Sequence, residues 1–168
     1  MIFAKSGAMP VLFCVFIGLA APVPVLAYTV SFVVIETGPA PAGGERDSAN
    51  LWENGLMDVF FDAGHIVSNA HTLRVDGGLL RDFPDEAQGD MDAARQGGVD
   101  FFVIALLDYP AADKTPDAAV KPRQVVLKVF SVDPYQKVYE QGYSGPPRDE
   151  SAQVKNAARS ILSHLGDR

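Results

Sequence analysis

The 168-residue chain is predicted to form one α/β (α+β) domain: a mixed five-stranded sheet packed by three helices, in the order β-α-β-α-β-β-β-α. Three observations predict it. Phe101 to Leu107 is an apolar run too short for a free helix and bounded by Gly98 and Pro110, the pattern of a central strand covered on both faces. Leu51, Trp52, Gly55, Leu56, Val59, Phe60 and Ala63 recur at helical spacing. Gln124 to Val132 and Lys137 to Tyr143, joined at Asp133-Pro134, read as an antiparallel hairpin.

The elements follow in order. Tyr28 to Ile35 begins by alternating and ends as a β-branched run, so it forms the first strand. Thr37 to Asp47 is a Pro- and Gly-rich loop. The first helix takes Asp47 or Ser48 as its cap and Gly64 as its stop. His65-Ile66-Val67 opens a second strand that continues through His71-Thr72-Leu73-Arg74-Val75 and closes at Asp76-Gly77-Gly78. Pro84 starts a short helix with Asp85 and Glu86 in its first turn, Ala87, Met91 and Ala94 on one face, and Gly97-Gly98 at its end. Asp108 to Arg123 is a long surface loop between the central strand and the hairpin. After Pro146-Pro147, the residues Val154, Ala157, Ala158, Ile161, Leu162 and Leu165 mark the apolar face of a final helix, capped near Asp149 and stopped at Gly166.

The amino-terminal 27 residues carry an address. Lys5 precedes the apolar run Val11 to Ala21, which is shorter than the roughly 20 residues of a bilayer-spanning helix and ends at Pro22 and Pro24. Val25-Leu26-Ala27 offers small side chains for cleavage after Ala27, leaving residues 28–168 as the exported domain with no transmembrane anchor. Cys14 lies inside the apolar run behind the bulky Phe13, which argues against lipid attachment. It is the one cysteine, so the processed chain forms no disulfide. No asparagine begins an N-x-Ser/Thr acceptor, and both absences suit the bacterial periplasm better than a eukaryotic exterior. With 14 Lys and Arg against 21 Asp and Glu, the net charge of −7 repels a phosphate backbone, so nucleic acid is not an expected partner.

No convergent catalytic set stands out. Gly38 to Glu45 has the position and spacing of a phosphate loop, but Gly44 and Glu45 replace its Lys and Ser/Thr, and Pro39 and Pro41 remove backbone donors. Asp58, Asp62, His65 and His71 can be drawn as a metal or general-base site of a small hydrolase, the alternative function. The simpler account places the two aspartates on a solvated helix face. Asp76, Asp82, Asp85, Glu86, Asp90 and Asp92 are acidic enough for a hard cation, yet they miss the calcium-loop spacing and suit helix capping. Gly142-Tyr143-Ser144-Gly145 is half of a nucleophile elbow, interrupted by Pro146, and His164 has no acid orienter nearby in sequence. No catalytic, metal or cofactor-binding residue is therefore expected. The most suggestive surface is Tyr135, Lys137, Tyr139, Gln141 and Tyr143, which share parity and so are expected on one face of the hairpin strand. As an edge strand it would also accept a partner strand.

The segments LWENGLMDVFFDAGHIVSNA and AARQGGVDFFVIALL, followed by the hairpin and closing helix, resemble the small periplasmic α/β domains of curli-transport lipoproteins and of the Tol translocation protein's amino-terminal domain. The resemblance lies in the order of elements from 28 to 166. It implies envelope assembly and protein contacts rather than catalysis, with an envelope protein or peptide as partner.

Overall fold

The computed structural model describes residues 27–38, 47–75, 85–110, 121–145 and 148–166. β1 (Thr29–Thr37), α1 (Asp47–Asp62), β2 (Ile66–Asn69) and β3 (Leu73–Val75) come first, then a 3-10 turn (Asp85–Ala87) and α2 (Gln88–Gln96). β4 (Phe101–Asp108), β5 (Gln124–Ser131), β6 (Gln136–Ser144) and α3 (Glu150–Gly166) complete the order. Residues 1–26, which hold all but the last residue of the expected leader, and residues 39–46, 76–84, 111–120, 146–147 and 167–168 fall outside the described residues.

One mixed sheet runs β2-β1-β4-β5-β6, with β3 also paired to β1. β2, β3 and β4 are parallel to β1, and β5 and β6 follow β4 antiparallel. The sheet therefore has six strands rather than five. The expected second strand is broken between Asn69 and Leu73, and its two halves pair with opposite ends of β1, Ile66 beside Thr29 and Leu73 beside Ile35.

Alternation along the strands builds two cores. Val30, Phe32 and Val34 of β1 join Val103, Ala105 and Leu107 of β4 under α1 and α3, where Trp52, Leu56, Phe60 and Ile161 dock. The intervening Val33, Ile35, Phe102, Ile104 and Leu106 face Met91 and Ala94 of α2. Every residue of β4 is buried, as its apolar run requires. α1 and α3 come together at Gly55, where a Cβ would stand 2.5 Å from Val154 Cγ1. No larger residue fits that crossing unless Val154 moves. Asp149 caps α3 by accepting the Ala152 N–H at 3.0 Å.

The connections leaving β1 and arriving at β4 lie on opposite faces, through α1 and α2 respectively. The carboxyl ends of β1 and β4 are thus the point where the chain path diverges, the usual place for function in such sheets. The other distinctive location is β6, the end of the strand order.

Candidate functional site: a buried polar network and an open sheet edge

At the carboxyl end of β1, Glu36 keeps the parity of Val30, Phe32 and Val34 and so points into the α1/α3 core, where it is 2% exposed. β3 pairs in register and brings Arg74 beside it, with Arg74 Nη2 donating to Glu36 Oε2 at 2.8 Å. From the end of β4, the Tyr109 hydroxyl reaches Glu36 and Ser48. Ser48, in the first turn of α1, donates to Glu150 Oε2 at 3.2 Å, and Trp52 Nε1 donates to Glu150 Oε1 at 3.1 Å. Two buried carboxylates are thereby tied into one network that joins β1, β3, β4, α1 and α3. Glu150 also sits in the first turn of α3, where the helix dipole favours its charge.

The network perturbs its phenol. Burial first, then the Glu36 charge and hydrogen bond, then the Glu150 charge push Tyr109 far above the ordinary tyrosine range, with Ser48 opposing. Tyr109 is therefore a neutral donor at any physiological pH. Gly38 completes the corner with φ +100°, and a Cβ there would lie 2.6 Å from the Tyr109 carbonyl oxygen. On the opposite face of the same strand ends, Thr37 Oγ1 donates to Asp108 Oδ1 at 3.0 Å, and Arg123 pairs with Asp108. Chemically, these carboxylates already accept from protein donors, and the arrangement fixes strand ends and helix starts to one another.

Sequence reasoning missed this network. Ser48 reads as a helix cap and Trp52 as core, while Glu150 belongs to no pattern the sequence singles out, so no one segment reveals that they meet. One signal was present: Glu36 carries core parity at the end of an apolar strand.

The hydrolase residues are not brought together. Asp58 and Asp62 are exposed on α1. His65 and His71 flank opposite ends of β2, about 20 Å apart at the strand rise. His65 is a structural side chain: Nδ1 accepts the Tyr28 N–H at 3.1 Å, the ring stacks on Tyr28, and burial lowers its pKa. Among the described residues no group of three His, Cys, Asp or Glu could hold a metal. His164 reaches Val138 O at 2.9 Å, near the start of β6, whereas Ser144 ends that strand. Asp90 and Asp92 of the acidic segment lie on α2, and Asp92 accepts from Gln88 at 3.2 Å. Asp76 and Asp82 lie outside the described residues, as does most of the loop that resembles a phosphate loop.

The tyrosine stripe of β6 is divided, which corrects the expected single face. Val129 pairs with Tyr139 but Phe130 with Lys137, so Val138 is an extra residue and the strand changes parity there. Tyr139, Gln141 and Tyr143 lie on the α1/α3 face, with Tyr139 and Tyr143 packed on its core. Tyr135 stacks on Phe130 on the α2 face, and Lys137 bridges to Glu140 there at 2.6 Å. The Tyr139 hydroxyl is shared between Gln141 and Ser160 of α3, the latter at 3.0 Å. Tyr143 stands beside Trp52, and burial, followed by the neighbouring Tyr139, pushes its pKa up to about 12.

The backbone of β6 is open on its outer side. Gly145 N–H donates to Arg123 O at 2.8 Å, which fixes the phase of the ladder. Alternation turns the backbone of Tyr139, Gln141 and Tyr143 toward β5 and that of Glu140, Gly142 and Ser144 outward. Among the described residues no strand lies beyond β6.

No protein-family model matches the chain, and no curated protein matches its sequence. Solved structures do resemble it. The PelC dodecamer from Paraburkholderia phytofirmans is similar at 17% identity over 86% of this chain and 93% of that chain, with a TM-score of 0.48. TolB from Acinetobacter baumannii is similar at 10% identity over 84% of this chain and 29% of that chain, with a TM-score of 0.46. Lipoprotein GNA1162 from Neisseria meningitidis is similar at 8% identity over 84% and 99%, with a TM-score of 0.42. The expected resemblance to a Tol-type domain is thus found. At these identities the similarity concerns fold alone. Among the described residues no helix is long and apolar enough to cross a membrane.

Proposed function

We propose that the chain is a non-enzymatic protein-interaction module of the bacterial cell envelope, exported to the periplasm by its leader, that recognises a protein or peptide through β6. The observation that carries this reading is the open edge: outward backbone donors and acceptors at Glu140, Gly142 and Ser144 beside Tyr139, Gln141 and Tyr143. Such an edge supplies main-chain hydrogen bonds to an added strand, while flanking side chains select it. Tyrosine suits the task because its ring packs while its hydroxyl stays near water. The buried carboxylates support the same reading, since they hold the scaffold together through Arg74, Ser48 and Trp52.

A photoreactive amino acid placed at Gln141 in cells expressing the full chain tests it. Irradiation is expected to yield adducts from a periplasmic fraction, and the same group at the exposed Asp58 is expected to yield none. Equal labelling at both positions, or none at Gln141, overturns the reading.

A further inference from the structure

We infer that the partner of β6 is a second copy of this chain, paired antiparallel about Gln141. This inference rests on the proposed role of the edge and names its occupant. The segment Tyr139-Glu140-Gln141-Gly142-Tyr143 is nearly symmetric about its centre. A two-fold axis perpendicular to the sheet at Gln141 sets Tyr139 opposite Tyr143 of the second copy, and Tyr143 opposite its Tyr139. Gln141 then meets its own copy, and Glu140 meets Gly142 twice.

The ladder phase agrees with that register. Glu140 and Gly142 are the residues whose N–H and C=O point outward, so each opposed Glu140/Gly142 pair exchanges two hydrogen bonds. Gln141 occupies a non-hydrogen-bonded position, where opposed side chains come closest. Aromatic cross-strand pairs form on both sides of the axis.

Neighbouring registers are worse. Centring on Glu140 places two carboxylates directly opposite each other, which is destabilising. Centring on Gly142 leaves Tyr139 opposite Gly145 and removes both tyrosine pairs. The bulge at Val138 and the capture of its carbonyl by His164 end the usable edge on one side. The free stretch is therefore short and centred where the sequence is self-complementary. It gives an isologous interface that closes at two copies.

The test uses protein recovered from the periplasm of cells expressing the full chain, carrying Cys14→Ser so that the introduced thiol is unique. Gln141→Cys is expected to form a disulfide-linked dimer under mild oxidation. Tyr139→Cys and Tyr143→Cys are each expected to remain uncrosslinked alone and to crosslink when mixed. A charge at position 142 reads the register without relying on a thiol, since a Cβ there meets nothing within 4 Å. Gly142→Lys faces Glu140 of the second copy and is expected to tighten dimerisation by about tenfold in sedimentation equilibrium, whereas Gly142→Glu weakens it by a similar factor. A generic effect on folding would move both variants the same way.

A monomer at every concentration, with no Gln141→Cys disulfide, overturns the homotypic pairing. If the photoreactive group at Gln141 still captures a different periplasmic protein, the edge reading survives and only its occupant changes. If it captures nothing, both fall.

Discussion

The two ends of the sheet treat polar groups in opposite ways. Where β1 and β4 finish, Glu36 and Glu150 are buried, and each accepts from side chains brought by other elements. Along β6 the backbone groups of Glu140 and Gly142 face outward and, among the described residues, carry no partner strand. Burial without hydrogen bonds costs far more than exposure to water, so the first region must be complete while the second can stay open. The contrast separates stability from recognition. Substitutions in the network should change unfolding and leave association alone; substitutions on the edge should do the reverse.

The largest expected effect is at Arg74. Removing it as Arg74→Ala leaves Glu36 buried without its cation, which costs about 3 kcal/mol, at the low end for a broken buried pair because Arg74 is itself partly exposed. Urea denaturation should show this as a lower midpoint with an unchanged slope. Replacing both partners, Glu36→Leu with Arg74→Leu, should recover most of the loss, because the uncompensated charge disappears along with the pair. If the single and double variants were equally unstable, Arg74 would matter by packing and the network would not be electrostatic.

Trp52→Phe comes next. It keeps an aromatic ring in the core but removes the indole N–H from Glu150, and should cost about 2 kcal/mol from the underserved carboxylate and the lost ring volume. Adding Glu150→Gln should return part of that cost by lowering the charge left behind. Neither variant should alter the sedimentation of the native protein, which sharpens the separation between the two regions.

The legibility of these regions in sequence differs for a physical reason. The fold was readable because it rests on local patterns: the apolar run of β4, the helical stripe around Trp52 and Phe60, and the Asp149 cap of α3. The second strand was overextended because residues 66–69 and 73–75 share a β-like composition that does not encode a step along β1. The network was hidden because its members come from five elements whose meeting depends on register and helix docking. On β6 the residue types were legible but the face was not, since the extra residue at Val138 leaves no mark in the alternation of Tyr, Lys and Gln.

pH probes the amino end of β1, through His65, and the β6 edge, through Tyr143, with smaller effects. His65 is held below its ordinary pKa by burial, and its Nδ1 must remain an acceptor for the Tyr28 N–H. The unfolded chain therefore binds a proton first as pH falls, so stability declines below about pH 6.5. His65→Asn should flatten that part of the profile in thermal melts from pH 7 to 5. At the alkaline end the sign is opposite in direction. Tyr143 keeps its proton to about pH 12 in the fold, whereas an unfolded tyrosine releases it near 10, so stability falls as pH rises from 10 to 12. Tyr143→Phe should remove part of that fall.

The smallest expected effect is the most discriminating for the edge. Gly142 stands in an extended strand without positive φ, and an added Cβ would meet open space. Gly142→Ala should therefore change folding stability by no more than about 0.5 kcal/mol, with a slight gain favoured because the unfolded chain loses freedom. The same methyl lies beside the two-fold axis, on the α2 face next to Glu140 of a second copy, so it adds no charge and removes no backbone donor. Association should be nearly unchanged, in contrast to the lysine and glutamate variants at that position. A large loss of stability from this methyl would mean that the α2 face of β6 is already covered within the chain at position 142, which would leave no room there for the side chains of a second copy.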